Sequence, residues 1–225
     1  MRGPYLALLP TYGFLRQCSK VLAVLTCFAG GPLRADTVDI LALGDSLTAG
    51  YGLMDHEGFV PQLTAWLAAN GHPARVVNAG VSGDTTAGGL SRFEWSLDGT
   101  IDGVIVALGG NDLLRGIDPV VSRANLAAIL DIARARNLPV LLVGLSAPGN
   151  YGPAYKAAFD AIWPDLSAQY GTLMVPSFFV GLQDRDPATM GAMMQPDGIH
   201  PSGDGVAAIV AGLGPHVIDL IKRVK

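Results

Sequence analysis

The amino-acid sequence predicts a doubly wound α/β domain, three layers deep, built on a five-stranded parallel sheet. Three observations predict it. Five short stretches are mostly apolar runs instead of strict alternations, as strands buried on both faces are. Stretches with helical spacing separate them in turn, which is the order of βαβ crossovers. The 29 glycines and 15 prolines are scattered as punctuation between many short loops, with no repeat or low-complexity tract. With 225 residues, half of them apolar and 15% charged, the chain is long enough to bury one sizeable core.

The first strand is Val38-Asp39-Ile40-Leu41-Ala42, stopped at Gly44, with Thr48, Gly50 and Gly52 preventing another strand from following at once. Residues 60–70 carry Val60, Leu63, Trp66 and Leu67 at helical spacing, and Gly71 with Pro73 beyond ends that helix. Arg75-Val76-Val77-Asn78-Ala79 is the second strand, after which Asp84 or Thr85 caps a helix to about Leu97. The third strand, 103–108, closes in Gly109-Gly110-Asn111-Asp112. A helix over 119–136 is expected to turn Val121, Leu126, Ile129, Leu130 and Ala133 inward. The fourth strand, 139–145, opens into a loop at 146–153, and a helix over 155–170 follows, with Pro164 placed to kink or interrupt it. After a fifth strand at 172–176, residues 177–200 are irregular or short-helical. Ser202 or Asp204 then caps a last helix over 206–222.

The first 35 residues belong to a different class of segment. Arg2, Arg16 and Lys20 precede the apolar run Val21-Leu22-Ala23-Val24-Leu25-Thr26-Cys27-Phe28-Ala29-Gly30, and Leu33-Arg34-Ala35 supplies a small residue for cleavage. That is the pattern of a secretory signal peptide, and the run is short of the roughly 20 residues that spanning a bilayer takes. Residues 1–35 are expected to be a leader and 36–225 an exported domain, periplasmic or secreted, with no stable membrane span after cleavage. Its removal takes four basic residues (Arg2, Arg16, Lys20, Arg34) and no acidic one, leaving 11 basic and 19 acidic residues and a net charge of −8. So acidic a domain, with no basic run, is a poor partner for nucleic acid. Cys18 and Cys27 also leave with the leader, so the mature domain has neither disulfide nor thiol chemistry. Nothing in the sequence sets an oligomeric state.

Parallel α/β sheets bind ligands beyond the carboxyl ends of their strands. Ser46, Gly83 and Asn111 lie just past the ends of the first three strands, and Asp197 and His200 fall between the fifth strand and the last helix. Serine is a poor nucleophile unless a base takes its proton and a third group orients that base. Of the four histidines, His56 and His72 sit in polar loops and His216 within the last helix. His200 sits in Gln195-Pro196-Asp197-Gly198-Ile199-His200-Pro201, where two prolines flank and a glycine interrupts any helix. In such a shaped loop Asp197 is able to hold one ring nitrogen and leave the other facing Ser46. Asp-x-x-His also offers two metal ligands, but no second histidine or carboxylate cluster completes a site, so no metal is expected. The backbone N–H groups of Ser46 and Gly83 and the Asn111 amide are the donors available to an oxyanion. Asp45 and Asp112 read as structural, holding loops by hydrogen bonds.

These residues stand in the blocks of a known family. Gly44-Asp45-Ser46-Leu47 resembles the signature of the GDSL, or SGNH, hydrolases; Gly83 within Ser82-Gly83-Asp84-Thr85 resembles their second block, Gly109-Gly110-Asn111-Asp112 the third, and Asp197-Gly198-Ile199-His200-Pro201 the fifth. The blocks occur in family order across residues 38–222. The loops Asn78-Ala79-Gly80-Val81, Leu114-Arg115-Gly116 and Pro148-Gly149-Asn150-Tyr151-Gly152 look like those of the periplasmic acyl-CoA thioesterase, lysophospholipase and arylesterase subgroup. The resemblance implies a flavodoxin-like SGNH hydrolase fold and hydrolysis of small-molecule acyl esters or thioesters without a cofactor. It also implies that Ser46 is the nucleophile, His200 the proton shuttle, Asp197 its orienting group, and Ser46, Gly83 and Asn111 the oxyanion hole. Asn150, Tyr151 and Met193 are expected to touch substrate, and Met190 and Met194 are placed to adapt to an acyl chain. The Gly-x-Ser-x-Gly elbow of α/β-hydrolases is not the pattern, since Thr48 stands in its last place.

Two other readings compete. A carbohydrate acetylesterase of the same family would want aromatic residues near the motifs to stack on sugar rings, and few lie there. A non-catalytic flavodoxin-like binding module would need neither Asp197 nor His200.

Overall fold

Strand β1 (Val38–Gly44) lies inside the sheet, with a neighbour on each side, and its side chains are buried in both directions. Ile40 and Ala42 face one side of the sheet, Leu41 and Leu43 the other, each at 1% exposure or less. The structure is a computed structural model that describes residues 37–183 and 187–224, with Met1 and Gly3. The expected leader over 1–35 and its cleavage site otherwise lie outside the described residues.

After β1 come the one-turn helix α1 (Ser46–Ala49), a 3₁₀ turn (Asp55–Glu57) and α2 (Phe59–Ala69). Strand β2 (Ala74–Gly80), helix α3 (Thr86–Ser96), strand β3 (Gly103–Ala107), the short α4 (Gly110–Leu114) and α5 (Pro119–Ala135) follow. Then come β4 (Val140–Val143), a 3₁₀ turn at Gly149–Tyr151, α6 (Pro153–Asp160), α7 (Ile162–Tyr170) and β5 (Leu173–Val175). A 3₁₀ turn at Val180–Leu182, helix α8 (Pro187–Ala192) and the long α9 (Gly203–Arg223) complete the chain.

The five strands are parallel in the order β2-β1-β3-β4-β5. The winding reverses between β1 and β3, which opens a crevice there at the carboxyl ends of the strands. Helices α2 and α9 cover one face, packing Phe59, Leu63 and Leu67 with Val206, Ile209 and Leu213. Helices α3, α5 and α7 cover the other, around Phe93, Leu126, Ile129 and Trp163. Helix α9 is long and apolar enough to cross a membrane, yet half of its most apolar window is buried against the sheet, as in a core helix.

One expectation is met and one is corrected. The helix over 155–170 is interrupted, as Pro164 predicts, into two helices that part at Ala161. Pro164 has no N–H to give the Asp160 carbonyl, so one continuous helix would leave a bond unmade. Val121 does not face inward; it is 47% exposed. Ser122, four residues before Leu126, holds the inner position and is fully buried.

Candidate active site

Asp45 caps α1, its Oδ1 accepting from the Leu47 N–H at 3.0 Å, which starts a helix one residue past the end of β1. Ser46 is therefore the first helical residue, carried at the carboxyl end of β1 beside the crevice. The helix can lie so close to the sheet because Gly44 and Gly80 lack side chains. A Cβ on Gly44 would stand 2.0 Å from the Thr48 hydroxyl, and one on Gly80 2.3 Å from the Ala49 nitrogen. Gly50, at φ +85°, ends the turn.

The loop before α9 supplies the other reactive groups. An isolated bridge pairs Met194 with Pro201 and closes residues 195–200 into a tight loop, with Gly198 at φ +68°. In it the Asp197 Oδ1 accepts from the backbone N–H of Ile199 at 2.9 Å and of His200 at 3.0 Å. The other oxygen, Oδ2, lies 2.6 Å from His200 Nδ1. His200 Nε2 lies 2.9 Å from Ser46 Oγ. The His200 N–H, then the imidazole and the Ile199 N–H, hold the Asp197 carboxyl down to about 2. It is ionised throughout the neutral range.

The donor side comes from the next two strands. Gly83, at φ +85°, turns the backbone after β2, and its carbonyl accepts from Arg115 Nη2 at 2.8 Å. Among the described residues no acceptor takes the backbone N–H of Ser46 or Gly83. Asn111, second in α4, donates from Nδ2 to the Asp84 carbonyl at 2.9 Å and comes within 3.4 Å of Asp45 Oδ2. Asp112, 1% exposed, accepts from the Thr86 N–H at 2.8 Å and the Ser122 hydroxyl at 2.9 Å, tying α4 to α3 and α5.

Ser46, Gly83, Asn111 and His200 open on one cleft of about 360 Å³. Leu47, Tyr51, Leu113, Leu114, Phe179 and Ile199 make most of its remaining wall, which is apolar. Asn150, Tyr151 and Met193 are not among its lining residues. Tyr151 supports the wall from behind, its hydroxyl 3.4 Å from the Leu114 carbonyl and its ring 4.8 Å from that of Tyr155. Met193 packs with Met190 and Met194 against the α2 and α9 side of the core. Sequence reading passed over Arg92, which donates to Asp84 at 2.6 Å and to the Gly44 carbonyl at 2.9 Å, and over Tyr51, whose ring lies 4.7 Å from the His200 ring. Among the described residues no three His, Cys, Asp or Glu side chains gather where they could hold a metal ion.

Residues 42–208 match the model of the GDSL-like Lipase/Acylhydrolase family. The chain belongs to this family. It is a hydrolase of ester bonds. The chain is 43% identical over 170 residues to a Pseudomonas aeruginosa protein named Esterase TesA, covering 75% of this chain and 82% of that protein. It is 38% identical over 191 residues to Thioesterase 1/protease 1/lysophospholipase L1 of Escherichia coli K12, covering 84% of this chain and 86% of the relative. Its fold matches the crystal structure of AlinE4, an SGNH-hydrolase family esterase, with a TM-score of 0.67 and 42% identity over 82% of this chain and 97% of that one.

Asp45 gives the site a pH signature. Burial raises its carboxyl to about 6; the bond from the Leu47 N–H and the nearness of His200 offset this in part. Because the folded value lies above the unfolded one, the native state holds more protons between about pH 4 and 6. Stability is therefore lost as pH rises through that window, by at most about 3 kcal/mol for this group. Asn at position 45 keeps an oxygen for the cap but carries no charge. Asp45→Asn is expected to flatten the slope of Tm against pH between 4 and 6 and to narrow or reverse any deficit by pH 8. Differential scanning calorimetry across that range checks it, and an unchanged slope would show that another group sets it.

Proposed function

We propose that this hydrolase cleaves small acyl esters and thioesters through an acyl-enzyme on Ser46, with His200 as base and acid and Asp197 as its orienting group. The observation that carries the reading is the relay of 2.9 Å from Ser46 Oγ to His200 Nε2 and 2.6 Å from His200 Nδ1 to Asp197, at the mouth of an apolar cleft. His200 Nε2 takes the hydroxyl proton as Oγ bonds to the carbonyl carbon, and the charge passes to the carbonyl oxygen. In this reading the N–H groups of Ser46 and Gly83, both lining the cleft, receive that oxyanion. Asn111 joins them with the amide hydrogen that is held only loosely, at 3.4 Å from Asp45. The tetrahedral intermediate collapses with His200 returning the proton to the leaving alkoxide or thiolate. Water then repeats the sequence on the acyl-enzyme and releases the acid. No step draws on a cofactor.

An apolar wall suits an acyl chain better than a sugar, which favours this reading over a carbohydrate acetylesterase. Labelling with a fluorophosphonate probe and mapping the modified peptide tests the nucleophile. Label on a residue other than Ser46, or none at all, would sink the assignment. A series of p-nitrophenyl esters from acetyl to palmitoyl, run beside a lysophospholipid and an acyl-CoA, tests the substrate class.

Asn111→Ala removes one oxyanion donor and is expected to lower kcat by about 10²–10³ while KM changes little, because that contact strengthens as charge develops on the carbonyl oxygen. Steady-state kinetics on one ester decide it; a loss confined to KM would make Asn111 a ground-state binder.

Export is the second part of the proposal. Residues 1–35 serve as a signal peptide and 36–225 as the hydrolase domain, working in the periplasm or outside the cell. The charged start, the apolar run and Ala35 support this. Mass spectrometry of the N-terminus in periplasmic and medium fractions tests it, and protein found only in the cytosol would overturn it.

A further inference from the structure

We propose that Gln195 is a positioning residue whose side-chain amide ties the arm carrying Ser46 to the loop carrying Asp197 and His200, and so sets the distance across which the proton moves. The proposal rests on the Ser46–His200 reading above. Ser46 and His200 are 154 residues apart in the chain, and their 2.9 Å contact is only as good as the frame that joins their two segments.

Gln195 Nε2 donates to the Tyr51 carbonyl at 2.8 Å, across 144 residues, and to the Pro201 carbonyl at 3.0 Å. Both amide hydrogens are thus spent, one on each segment. Two carbonyls facing the same atom can be satisfied only by a nitrogen, which fixes the orientation of the amide. The two accepting carbonyls belong to residues tied to the reacting groups. The Tyr51 N–H donates to the Ser46 carbonyl at 3.1 Å, so Tyr51 moves with the nucleophile's helix. Pro201 directly follows His200, and the backbone N–H of Gln195 donates to the His200 carbonyl at 2.7 Å.

Room for the amide comes from Gly52, at φ +76°. A Cβ there would lie 2.3 Å from Gln195 Oε1. Among the described residues another link near the site, the tilted contact of the half-exposed Tyr51 ring with the His200 ring, lacks the directionality of a hydrogen bond. Gln62 makes a further tie, donating to the carbonyls of Glu57 and Gly203, but it joins the segments beyond Tyr51 on one side and beyond His200 on the other. Among the described residues Gln195 is therefore the polar strut nearest the relay. A misplacement of about 1 Å between nucleophile and base costs on the order of 10² in rate.

The test uses two substitutions of similar length in the full chain. Gln195→Glu turns the double donor into a carboxylate facing two carbonyls, and Gln195→Met removes both bonds while keeping the volume. For each, kcat and KM on a p-nitrophenyl ester, the rate of fluorophosphonate labelling and Tm are measured, with rates referred to the folded fraction seen by circular dichroism. The expected result is a fall of kcat and of the labelling rate together, on the order of 10², with KM within about threefold. Rates of the folded fraction equal to the parent's, with or without a lower Tm, would make Gln195 structural only and overturn the proposal. A change confined to KM would overturn it as well. Ser46→Ala is the reference. Labelling that persists there overturns the nucleophile assignment and this proposal with it, whereas labelling lost there but unaltered in both Gln195 variants overturns this proposal alone.

Discussion

Ser46→Ala is expected to lower kcat by on the order of 10⁶ while leaving the fold intact. The hydroxyl is a small group at the mouth of the cleft, and its hydrogen-bond partner is His200. Removing it opens no core cavity, and the cap that starts α1 uses Asp45 and the Leu47 N–H, neither of which changes. The loss should therefore appear in kcat and in phosphonate labelling but hardly in Tm. His200→Ala should cost about as much, because nucleophile and base act as one unit and either alone is useless. Were Ser46 merely a turn residue, the variant would lose stability and activity in proportion, or lose neither. Measuring kcat, KM and the thermal midpoint for both variants separates these outcomes, and a folded Ser46→Ala enzyme with parental activity would end the assignment.

What the sequence makes legible, and what it does not, follows from the range of the forces involved. Strands β1, β3 and β4 are readable because burial on both faces leaves almost only apolar residues, Asp39 near the start of β1 being the exception, and that is a local property of a few neighbouring positions. The ends of β1, β2 and β3 are readable too, since Gly44, Gly80 and Gly109 stop them, and that is why Ser46, Gly83 and Asn111 are placed at one edge of a sheet without coordinates. His200 and Asp197 stood out because prolines and a glycine shape their loop. Leu126, Ile129, Leu130 and Ala133 are buried as expected, and Val121 alone is out of phase with them, because the inward position of that turn belongs to the polar Ser122, which bonds to Asp112. Met193 looked like a substrate contact because methionine suits either a groove or a core, and only packing decides. Arg92 on the Gly44 carbonyl and Gln195 on the Tyr51 carbonyl were invisible for another reason. A side chain bonded to a distant backbone carbonyl needs no particular residue type at the other end, so no pattern in the sequence records the pair.

Asp197→Asn is expected to lower kcat by on the order of 10⁴, less than loss of the nucleophile, with KM little changed. The reason lies in the two jobs of the carboxylate. Its Oδ1 accepts two backbone N–H groups, from Ile199 and His200, while Oδ2 faces the imidazole Nδ1. Asparagine has a single oxygen. Two backbone donors demand it, and the amide nitrogen is then left facing Nδ1. An N–H donor there favours the tautomer with Nδ1 bare and the proton on Nε2, so the ring meets Ser46 with a hydrogen where it needs a lone pair. The fold should survive, because both backbone bonds are kept. A stability signature goes with the kinetic one. The Asp197 carboxyl is held down to about 2 in the folded state, from an ordinary 3.8. For a depressed carboxylate the stabilisation is present above the unfolded value and is lost as pH falls through the folded one. Any Tm advantage of the parent over Asp197→Asn should thus be constant above about pH 4 and shrink between pH 4 and 2. Kinetics at neutral pH and melting curves down to pH 2 check both halves. Activity within tenfold of the parent would mean that something other than Asp197 orients His200.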